Sequence, residues 1–356
     1  MQFQRVFESS NKPILIAGPC SAETERQVMN TAEELASLGG VDAFRAGIWK
    51  PRTRPGSFEG VGSEGLKWLS KVKAEFGFRT TTEIANQQQV HEALEAGVDI
   101  LWIGARTTVN PFSVQEIADA LRGSDVPVMV KNPINPDLEL WIGALERLYN
   151  AGLSRIAAVH RGFSGQRKTE FRNIPIWEYP LELMLRFPEL QIINDPSHIC
   201  GNRTLLLSVA QKAMDLNFDG IMLETHIDPD NAWSDSRQQV IPMRWKEIIN
   251  SLVLREENAA DLSVKTDLEH LRKQIDELDF EVLQLLGERM KIADKIGSFK
   301  RAHNISIFQS ERWAEILRQS VIQGDRLGLS TEFISALLTA VHQESINHQA
   351  KIMNKD

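Results

Sequence analysis

The sequence predicts an α/β protein in which a (β/α)8 barrel, or TIM barrel, is followed by an all-α domain of three helices. Eight short apolar segments alternate with helical patterns over about the first 250 residues, as in barrels of this class. All 14 prolines lie at or before Pro242, and the chain beyond it has the three- and four-residue apolar spacing of long helices. We predict a barrel over residues 1–254, a polar linker over 255–266 and a helical domain over 267–356.

Composition excludes several classes of protein. The chain has 40 Lys and Arg against 48 Asp and Glu, a net charge of −8, which argues against a general nucleic-acid binder, since such a protein needs a basic face. No apolar run approaches the ~18 residues of a membrane span, and the N-terminus has no apolar signal core. Two cysteines cannot form a disulfide framework, which favours a reducing compartment. We expect a cytoplasmic protein.

Each predicted strand is a short run, and several are apolar throughout, as expected of strands buried on both faces. The strands are Ile14–Cys20, Ala43–Trp49, Arg79–Ala85, Asp99–Ala105, Val126–Lys131, Arg155–Arg161, Gln191–His198 and Gly220–His226. Helical patterns lie between them, for example at Glu25–Leu38, Gln87–Ala96, Val114–Leu121, Leu138–Ala151 and Asn202–Leu216. An open doubly wound sheet is the alternative, but no GxGxxG turn follows the first strand.

The ends of the predicted strands carry reactive side chains, where simple connectors would carry Gly, Asn, Asp or Ser. Active sites of such barrels lie at these ends. In chain order the residues are Cys20, Arg45 with Lys50, Glu83, Arg106, Lys131, Arg161, His198, and Glu224 with His226. A structural role could explain any one of them, but it is a poor explanation of all eight ends.

Two chemistries are indicated by this set. Five cations would repel one another in an empty pocket, so they indicate a multiply anionic ligand such as a phosphate that bears a carboxylate. They are Arg45, Lys50, Arg106, Lys131 and Arg161. Arg52 and Thr53 are candidates for a second phosphate. Cys20, His198, Glu224 and a later acid form a mixed sulfur, nitrogen and oxygen set that suits a divalent transition metal.

These residues lie in motifs that resemble the short, single-barrel 3-deoxy-D-arabino-heptulosonate 7-phosphate (DAHP) synthases. The motifs are GPCS (18–21), KPRT (50–53), TEI (82–84), IGAR (103–106), VK (130–131), HRG (160–162), DPSH (195–198) and ETH…SDS (224–236). They occur in the family's order over nearly all of residues 10–250. The resemblance implies condensation of phosphoenolpyruvate with erythrose 4-phosphate to DAHP and phosphate, which opens aromatic amino-acid biosynthesis.

The resemblance also implies a divalent metal ion. Its ligands would be Cys20, His198, Glu224 and Asp235. We expect Mn²⁺ and leave other divalent ions open. Asp228 and Asp230 are rivals for the fourth position, and Asp235 is preferred because its SDS context matches the family.

The resemblance further implies the substrate contacts. Phosphoenolpyruvate would be bound by Arg45, Lys50, Arg106, Lys131 and Arg161, with Glu83 of the TEI motif in the same pocket. Lys131 is also a candidate proton donor, and Arg52 and Thr53 would bind the phosphate of erythrose 4-phosphate.

Two departures affect the sugar-phosphate contacts: Arg54 follows KPRT where serine is usual, and Asn132–Pro133 follow the lysine of the VK motif. The rival family is 3-deoxy-octulosonate 8-phosphate synthase, which shares the barrel and takes a five-carbon sugar. Its loop reads KANR, so KPRT favours the four-carbon aldehyde.

The tail predicts a long helix with one apolar seam. The seam holds Leu268, Leu271, Ile275, Leu278, Val282, Leu285, Ile292, Ile296 and Phe299. Arg289 interrupts it, and Lys300 lies on the same face about three turns later. An arginine in an apolar stripe is costly unless paired, so the alternatives are a satisfied polar layer and a pocket for a dianion. Arg272 lies about 25 Å from Arg289 along one helix, so a single site needs Arg272 from another chain.

The same tail resembles the all-helical chorismate mutases, whose site is shared across a dimer. Arg272, Arg289, Lys300, Arg312, Ser345 and Gln349 fall at that family's spacings. The resemblance implies rearrangement of chorismate to prephenate without a cofactor, in a homodimer or a higher oligomer. Arg272 and Arg289 would bind the carboxylates, Lys300 and Gln349 would stabilise the breaking ether oxygen, and Arg312 and Ser345 would complete the pocket.

One departure leaves an alternative open for the tail. Trp313 stands where that family has an acid that meets the substrate hydroxyl, and Gln309 or Ser345 are the candidates to replace it. The alternative is therefore a synthase whose tail only binds a metabolite and dimerises. We also advance the hypothesis that prephenate or chorismate bound to the tail regulates the synthase.

Overall fold

The computed structural model describes residues 1–8, 13–51, 56, 58–165, 169–255 and 262–354. The chain forms two units, Met1–Glu257 and Asn258–Asp356. In the first unit, eight parallel strands follow one another in chain order and close into a barrel. The predicted class, a (β/α)8 barrel followed by a helical domain, is confirmed.

The barrel strands are shorter than the predicted runs. They are β1 (Ile14–Gly18), β2 (Ala43–Arg45), β3 (Thr80–Ile84), β4 (Ile100–Ile103), β5 (Val128–Lys131), β6 (Ile156–His160), β7 (Gln191–Asn194) and β8 (Gly220–Glu224). The expectation that β7 reaches His198 was wrong, because Pro196 lacks a backbone donor and opens a short helix. Asp195 caps this helix by accepting from the backbone N–H of His198 at 3.1 Å.

Helices alternate with the strands around the barrel. They are α1 (Glu25–Leu38), α2 (Glu64–Phe76), α3 (Gln87–Glu95), α4 (Ala105–Thr108), α5 (Pro111–Ala120), α6 (Leu138–Asn150), α7 (Glu178–Arg186), α8 (Pro196–Cys200), α9 (Leu206–Asp215) and α10 (Pro242–Asn250). Side-chain caps set several of the starts. Thr24, Asn86 and Asp137 each accept a hydrogen bond from a backbone N–H in the first turn of the helix that follows.

Alternation along the strands divides the core of the barrel into two layers. On β4, Ile100 and Trp102 point into the barrel, whereas Leu101 and Ile103 pack outward with the helices. The interior layer holds Val6, Phe7, Ile14, Ile16, Ala43, Ile100, Trp102, Met129, Ala157, Val159, Ile193 and Met222. The same alternation points Arg45, two residues after Ala43, and Lys131, two residues after Met129, into the barrel at its carboxyl end.

The second unit consists of three helices, α11 (Leu262–Ala302), α12 (Ser310–Arg326) and α13 (Thr331–Met353). The first of them begins inside the segment predicted as linker, so the long helix starts earlier than expected. A Cβ added at Gly297 would lie 3.1 Å from the Cα of Gln349, so glycine permits α11 and α13 to approach closely. Within the described ranges, no helix has the length and apolarity needed to cross a membrane.

Candidate active sites

Four side chains from separate segments meet at the carboxyl end of the barrel. Cys20 follows β1, His198 lies on α8, Glu224 ends β8 and Asp235 lies in the loop beyond β8. Each offers one ligand atom, and these atoms all lie within 4.8 Å of one another. Cys20 Sγ lies 3.3 Å from Asp235 Oδ2, and His198 Nε2 lies 3.6 Å from Glu224 Oε1. A thiol, an imidazole and two carboxylates at this spacing suit a divalent transition metal.

The two rival acids lie outside this cluster. Asp228 accepts a hydrogen bond from its own turn, and the exposed Asp230 pairs with Arg203 at 2.7 Å. Asp235 is oriented by Arg172, whose Nη1 donates to Asp235 Oδ1 at 2.8 Å. The backbone φ of Asp235 is 48°, a left-handed conformation that Asp tolerates better than most residues.

Hydrogen bonds behind the cluster orient its members. Asp195 Oδ2 lies 2.8 Å from His198 Nδ1, a contact that assigns the ring proton to Nδ1 and leaves Nε2 facing the cluster. Gln238 Nε2 donates to Glu224 Oε2 at 2.6 Å. The other oxygen of Glu224, Oε1, is buried and has no hydrogen-bond partner, although it forms an ion pair with Arg45. One ring nitrogen and one carboxylate oxygen are therefore available to an ion.

Burial determines the protonation states of the cluster together with the neighbouring charges. Burial raises the pKa of the Cys20 thiol to about 12, and Glu224 adds to this rise. Burial alone would raise the pKa of the Glu224 carboxyl, but His198 and Arg45 lower it. Burial lowers the pKa of His198. The Glu224 carboxylate is therefore ionised, while the thiol needs a bound cation to become a thiolate.

Buried cations lie beside the cluster. Arg45 is 1% exposed, and its Nη2 lies 3.1 Å from Glu224 Oε1. Its Nε and Nη1 are buried without a hydrogen-bond partner. Lys131 Nζ donates to Asp195 Oδ2 at 2.8 Å, and Lys50 Nζ donates to Cys20 Sγ at 3.2 Å. The open donors of Arg45 indicate an anionic ligand, because unpaired buried donors are costly.

The other residues predicted to bind substrate in the barrel do not all lie at strand ends. Burial lowers the pKa of Arg161 to about 10, and Arg172 and Arg106 act in the same direction, so positive charge accumulates there. Arg106 lies on α4 rather than at a strand end. The Glu83 carboxylate accepts a hydrogen bond from Trp102 Nε1 at 3.3 Å. Arg52 and Thr53 lie outside the described residues.

The helical unit contains a cavity of about 370 Å³ that several predicted residues line. They are Arg289, Lys300, Arg312, Ser345 and Gln349. Arg289 hydrogen-bonds Ser345, Lys300 Nζ donates to the backbone oxygen of Ile307 at 2.5 Å, and Arg312 pairs with Glu315 at 2.6 Å. Gln349 Oε1 is buried without a partner. Arg272 does not line this cavity and is exposed.

The wall of the same cavity holds an aromatic pair that the sequence did not reveal. Trp313 stacks on His342 with ring centroids 4.1 Å apart and planes 11° apart. Burial lowers the pKa of His342, and Arg289 and Lys300 add to that effect. Gln309 also lines the cavity, as does Trp313 itself. No sequence motif marks His342, because its partner comes from a different helix.

The fold and sites define a class of protein. It is a barrel enzyme that carries a cluster of candidate metal ligands, followed by an all-helical domain whose cavity is lined by cationic side chains. The profile of the DAHP synthetase I family matches residues 3–258, and that of chorismate mutase type II matches residues 271–350. The chain belongs to the DAHP synthetase I family. It is a bifunctional enzyme of aromatic biosynthesis, with a DAHP synthase (transferase) domain and a chorismate mutase (isomerase) domain.

Individual relatives agree with this assignment. A phospho-2-dehydro-3-deoxyheptonate aldolase of Thermotoga maritima is 32% identical over 238 residues, covering 67% of this chain and 68% of that protein. A crystal structure of a phospho-2-dehydro-3-deoxyheptonate aldolase (DAHP synthase) from Thermotoga maritima superposes with a TM-score of 0.60 at 30% identity, over 67% of this chain and 68% of that one.

The rival sugar family also has relatives of this chain. A 2-dehydro-3-deoxyphosphooctonate aldolase of Wolinella succinogenes is 27% identical over 267 residues, covering 67% of this chain and 98% of that protein. The octulosonate alternative is less well supported than the heptulosonate assignment.

Proposed function

We propose that the barrel binds one divalent metal ion and condenses phosphoenolpyruvate with erythrose 4-phosphate. The ligands would be Cys20, His198, Glu224 and Asp235, whose ligand atoms lie within 4.8 Å of one another. Mn²⁺ is the ion proposed, because two of the four donors are carboxylates, which suit Mn²⁺. When bound, the ion would polarise the aldehyde oxygen as a Lewis acid.

The cations of the barrel would bind and orient phosphoenolpyruvate. Arg45 offers two buried donors without partners, and Arg161 and Arg106 supply further positive charge for the carboxylate and phosphate. Carbon 3 of phosphoenolpyruvate attacks the aldehyde carbon, water adds at carbon 2, and phosphate leaves. Lys131 is the proposed proton donor, and Asp195 holds its ammonium in place. Lys50 and Glu83 complete the pocket, and Arg52 with Thr53 would bind the second phosphate.

One observation carries this proposal: a mixed-donor cluster lies directly beside a buried arginine with open donors. The test is consumption of phosphoenolpyruvate by the full chain with erythrose 4-phosphate or with arabinose 5-phosphate, each with and without a chelator. We expect turnover with the four-carbon aldehyde only, lost on chelation and restored by Mn²⁺. Faster turnover with the five-carbon sugar would contradict the substrate assignment, and full activity in chelator would contradict the metal.

We also propose roles for the residues of the helical pocket. Arg289 would bind a carboxylate of chorismate, and Lys300 and Gln349 would stabilise negative charge on the breaking ether oxygen. Arg312 and Ser345 would complete the pocket, and the Ser345 hydroxyl would orient Arg289 through their hydrogen bond. The observation that supports this is the cavity in which all five side chains converge.

The helical domain is proposed to form a dimer. All nine apolar residues of the α11 seam are exposed in the single chain, from 41% at Leu268 to 68% at Leu285. A single chain rarely leaves so continuous an apolar stripe in water. A second copy could cover it and bring its Arg272 to the cavity. The all-helical chorismate mutases, which the tail resembles, have a site shared between the two chains of a dimer, and that site requires the same arrangement.

The alternative of a tail that only binds and dimerises rests on Trp313, which occupies the position of the usual acid. The variants Arg289→Ala and Lys300→Ala distinguish an active mutase from a tail that only binds and dimerises. Lys295→Ala is a matched control, because Lys295 is exposed on the same helix and outside the cavity. An active mutase should lose at least ~100-fold in chorismate turnover in the first two variants only. Equal turnover in all four proteins would favour the binding module.

We also propose that the helical tail regulates the synthase. Prephenate or chorismate bound in the helical cavity would shift the rate of the synthase. Synthase assays with saturating prephenate test this, and an unchanged rate rejects it. A cytoplasmic location is likewise proposed, since both cysteines are free and buried.

A further inference from the structure

Trp102 is a fully buried tryptophan on the floor of the proposed phosphoenolpyruvate pocket. It is the last inward-pointing residue of β4, above Ile100 in the interior layer. Its Cα is in register with Glu83 on β3 and Met129 on β5. A flat, bulky side chain therefore stands at the point where the apolar interior of the barrel meets the charged mouth.

The indole ring is close to two of the cations that the proposed function assigns to phosphoenolpyruvate. The guanidinium carbon of Arg45 lies 5.0 Å from the ring centroid, and the ammonium of Lys131 lies 5.6 Å from it. Both distances are within the ~6 Å at which a cation is attracted by a ring face. The indole N–H is directed at a third residue, because Trp102 Nε1 donates to Glu83 Oε2 at 3.3 Å.

This arrangement solves an electrostatic problem of the pocket. Arg45 and Lys131 are both buried, at 1% and 4% exposure, and each has one carboxylate partner, Glu224 for Arg45 and Asp195 for Lys131. A carboxylate stabilises a buried cation but occupies its hydrogen-bond donors. A ring face attracts the same cation without accepting its N–H groups, and two donors of Arg45 are in fact without partners.

We propose that Trp102 is a positioning residue for phosphoenolpyruvate, holding Arg45 and Lys131 by its ring while leaving Nε and Nη1 of Arg45 open to the substrate. This inference rests on the proposed function of the barrel. Trp102 acts through the two cations and does not itself need to touch a reacting atom. Its effect should therefore fall on the KM for phosphoenolpyruvate more than on the KM for the aldehyde.

The first test compares Trp102→Leu, which removes the ring face, with Trp102→Phe, which keeps a smaller one. We expect the KM for phosphoenolpyruvate to rise about ten-fold in Trp102→Leu, with most of the loss recovered in Trp102→Phe. The rate of chorismate turnover, measured on the same preparations, should be unchanged. Trp245→Leu is a matched control, since Trp245 is a buried indole on α10.

The second test keeps the shape of the side chain, in case the leucine variant does not fold. Tryptophans with one to four fluorine atoms are inserted at position 102 alone, which weakens the attraction of the ring for cations stepwise. We expect the KM for phosphoenolpyruvate to rise with each fluorine. The same series at Trp245, which lies 5.9 Å from Lys246, should leave that KM unchanged.

The outcomes separate this inference from the proposed function. If the synthase is active and its KM for phosphoenolpyruvate does not change with the number of fluorine atoms at position 102, the role of Trp102 is overturned and the proposed function is left intact. A wild-type chain that fails to consume phosphoenolpyruvate with either aldehyde contradicts the proposed function, and the role of Trp102 falls with it. A phenylalanine variant as impaired as the leucine variant would also count against the ring-face argument.

Discussion

The carboxylate of Asp195 lies 2.8 Å from the ammonium of Lys131 at the buried carboxyl end of the barrel. The same oxygen, Oδ2, lies 2.8 Å from Nδ1 of His198. Burial alone would raise the pKa of this carboxyl, but His198 and Lys131 hold it well below its usual range. One ionised acid therefore links the proposed proton donor to a proposed metal ligand.

We predict that Asp195→Asn weakens metal binding and slows the synthase together. An amide nitrogen cannot accept a hydrogen bond, and its single oxygen cannot supply the charge that holds both partners. Substituting a residue that hydrogen-bonds a metal ligand typically lowers metal affinity or kcat about 10–100-fold, and we expect a loss of that size here. Metal content and synthase kcat are the measurements. Asp125→Asn is the control, since the side chain of Asp125 is 92% exposed. Wild-type kcat in Asp195→Asn would exclude the linking role.

The two cysteines provide a matched pair for testing the metal cluster. Both are buried, but only Cys20 contributes a ligand atom to the cluster. We predict that Cys20→Ala loses the metal and at least ~100-fold of the synthase rate, because a ligand is removed. Cys200→Ala should keep both, with a modest loss of stability from the small cavity. The measurements are the metal content and the synthase rate of each variant. Equal metal content in the two variants would remove Cys20 from the ligand set.

The shared mutase site predicts complementation between two inactive variants. In a dimer that carries Arg272→Ala in one chain and Arg289→Ala in the other, one site has both arginines and the other has neither. Hybrids purified by two different tags should therefore regain about half of the wild-type rate per dimer, from parents that are both inactive. Hybrids no more active than their parents would place both arginines in the site of a single chain, or outside it.

Acid should destabilise the barrel through His160. This histidine is fully buried, and burial lowers its pKa to about 4 although the carbonyl oxygen of Pro175 opposes the shift. The unfolded chain binds a proton near pH 6.5 and the folded chain does not, so stability falls as the pH drops from about 6.5 to about 4. No contribution from this residue is expected above that range.

The measurement is urea unfolding of the barrel at several pH values. The wild type should lose up to about 1.4 kcal/mol per pH unit in this window relative to His160→Phe, which cannot titrate. His91→Gln is the control, because His91 is exposed on α3. Parallel pH profiles for the wild type and His160→Phe would show that His160 is not the responsible group.

Much of the fold follows from local patterns. The helix Glu25–Leu38 begins and ends where its apolar pattern predicts. The strands are present where the apolar runs lie, but they are shorter than those runs. His198 shows the consequence, because it reaches the cluster from a helix and not from a strand.

Other features depend on contacts that no local pattern contains. Trp102 looks like one more apolar residue of a buried strand, and its role depends on cations from β2 and β5. His342 looks like a solvent-facing helical residue until α12 brings Trp313 against it. The apolar seam of α11 was apparent in the sequence, whereas its exposure in a single chain was not.

Residue type and periodicity were sufficient to identify a barrel, a helical tail and the kinds of ligand that each would bind, since these depend on neighbours within a few turns. Which acid joins Cys20 was decided by the folded chain, because Cys20 and Asp235 are 215 residues apart in sequence and 3.3 Å apart in space. Closure of the barrel brings β1 beside β8, and the left-handed backbone at Asp235 then directs that carboxylate, and neither rival, toward the thiol.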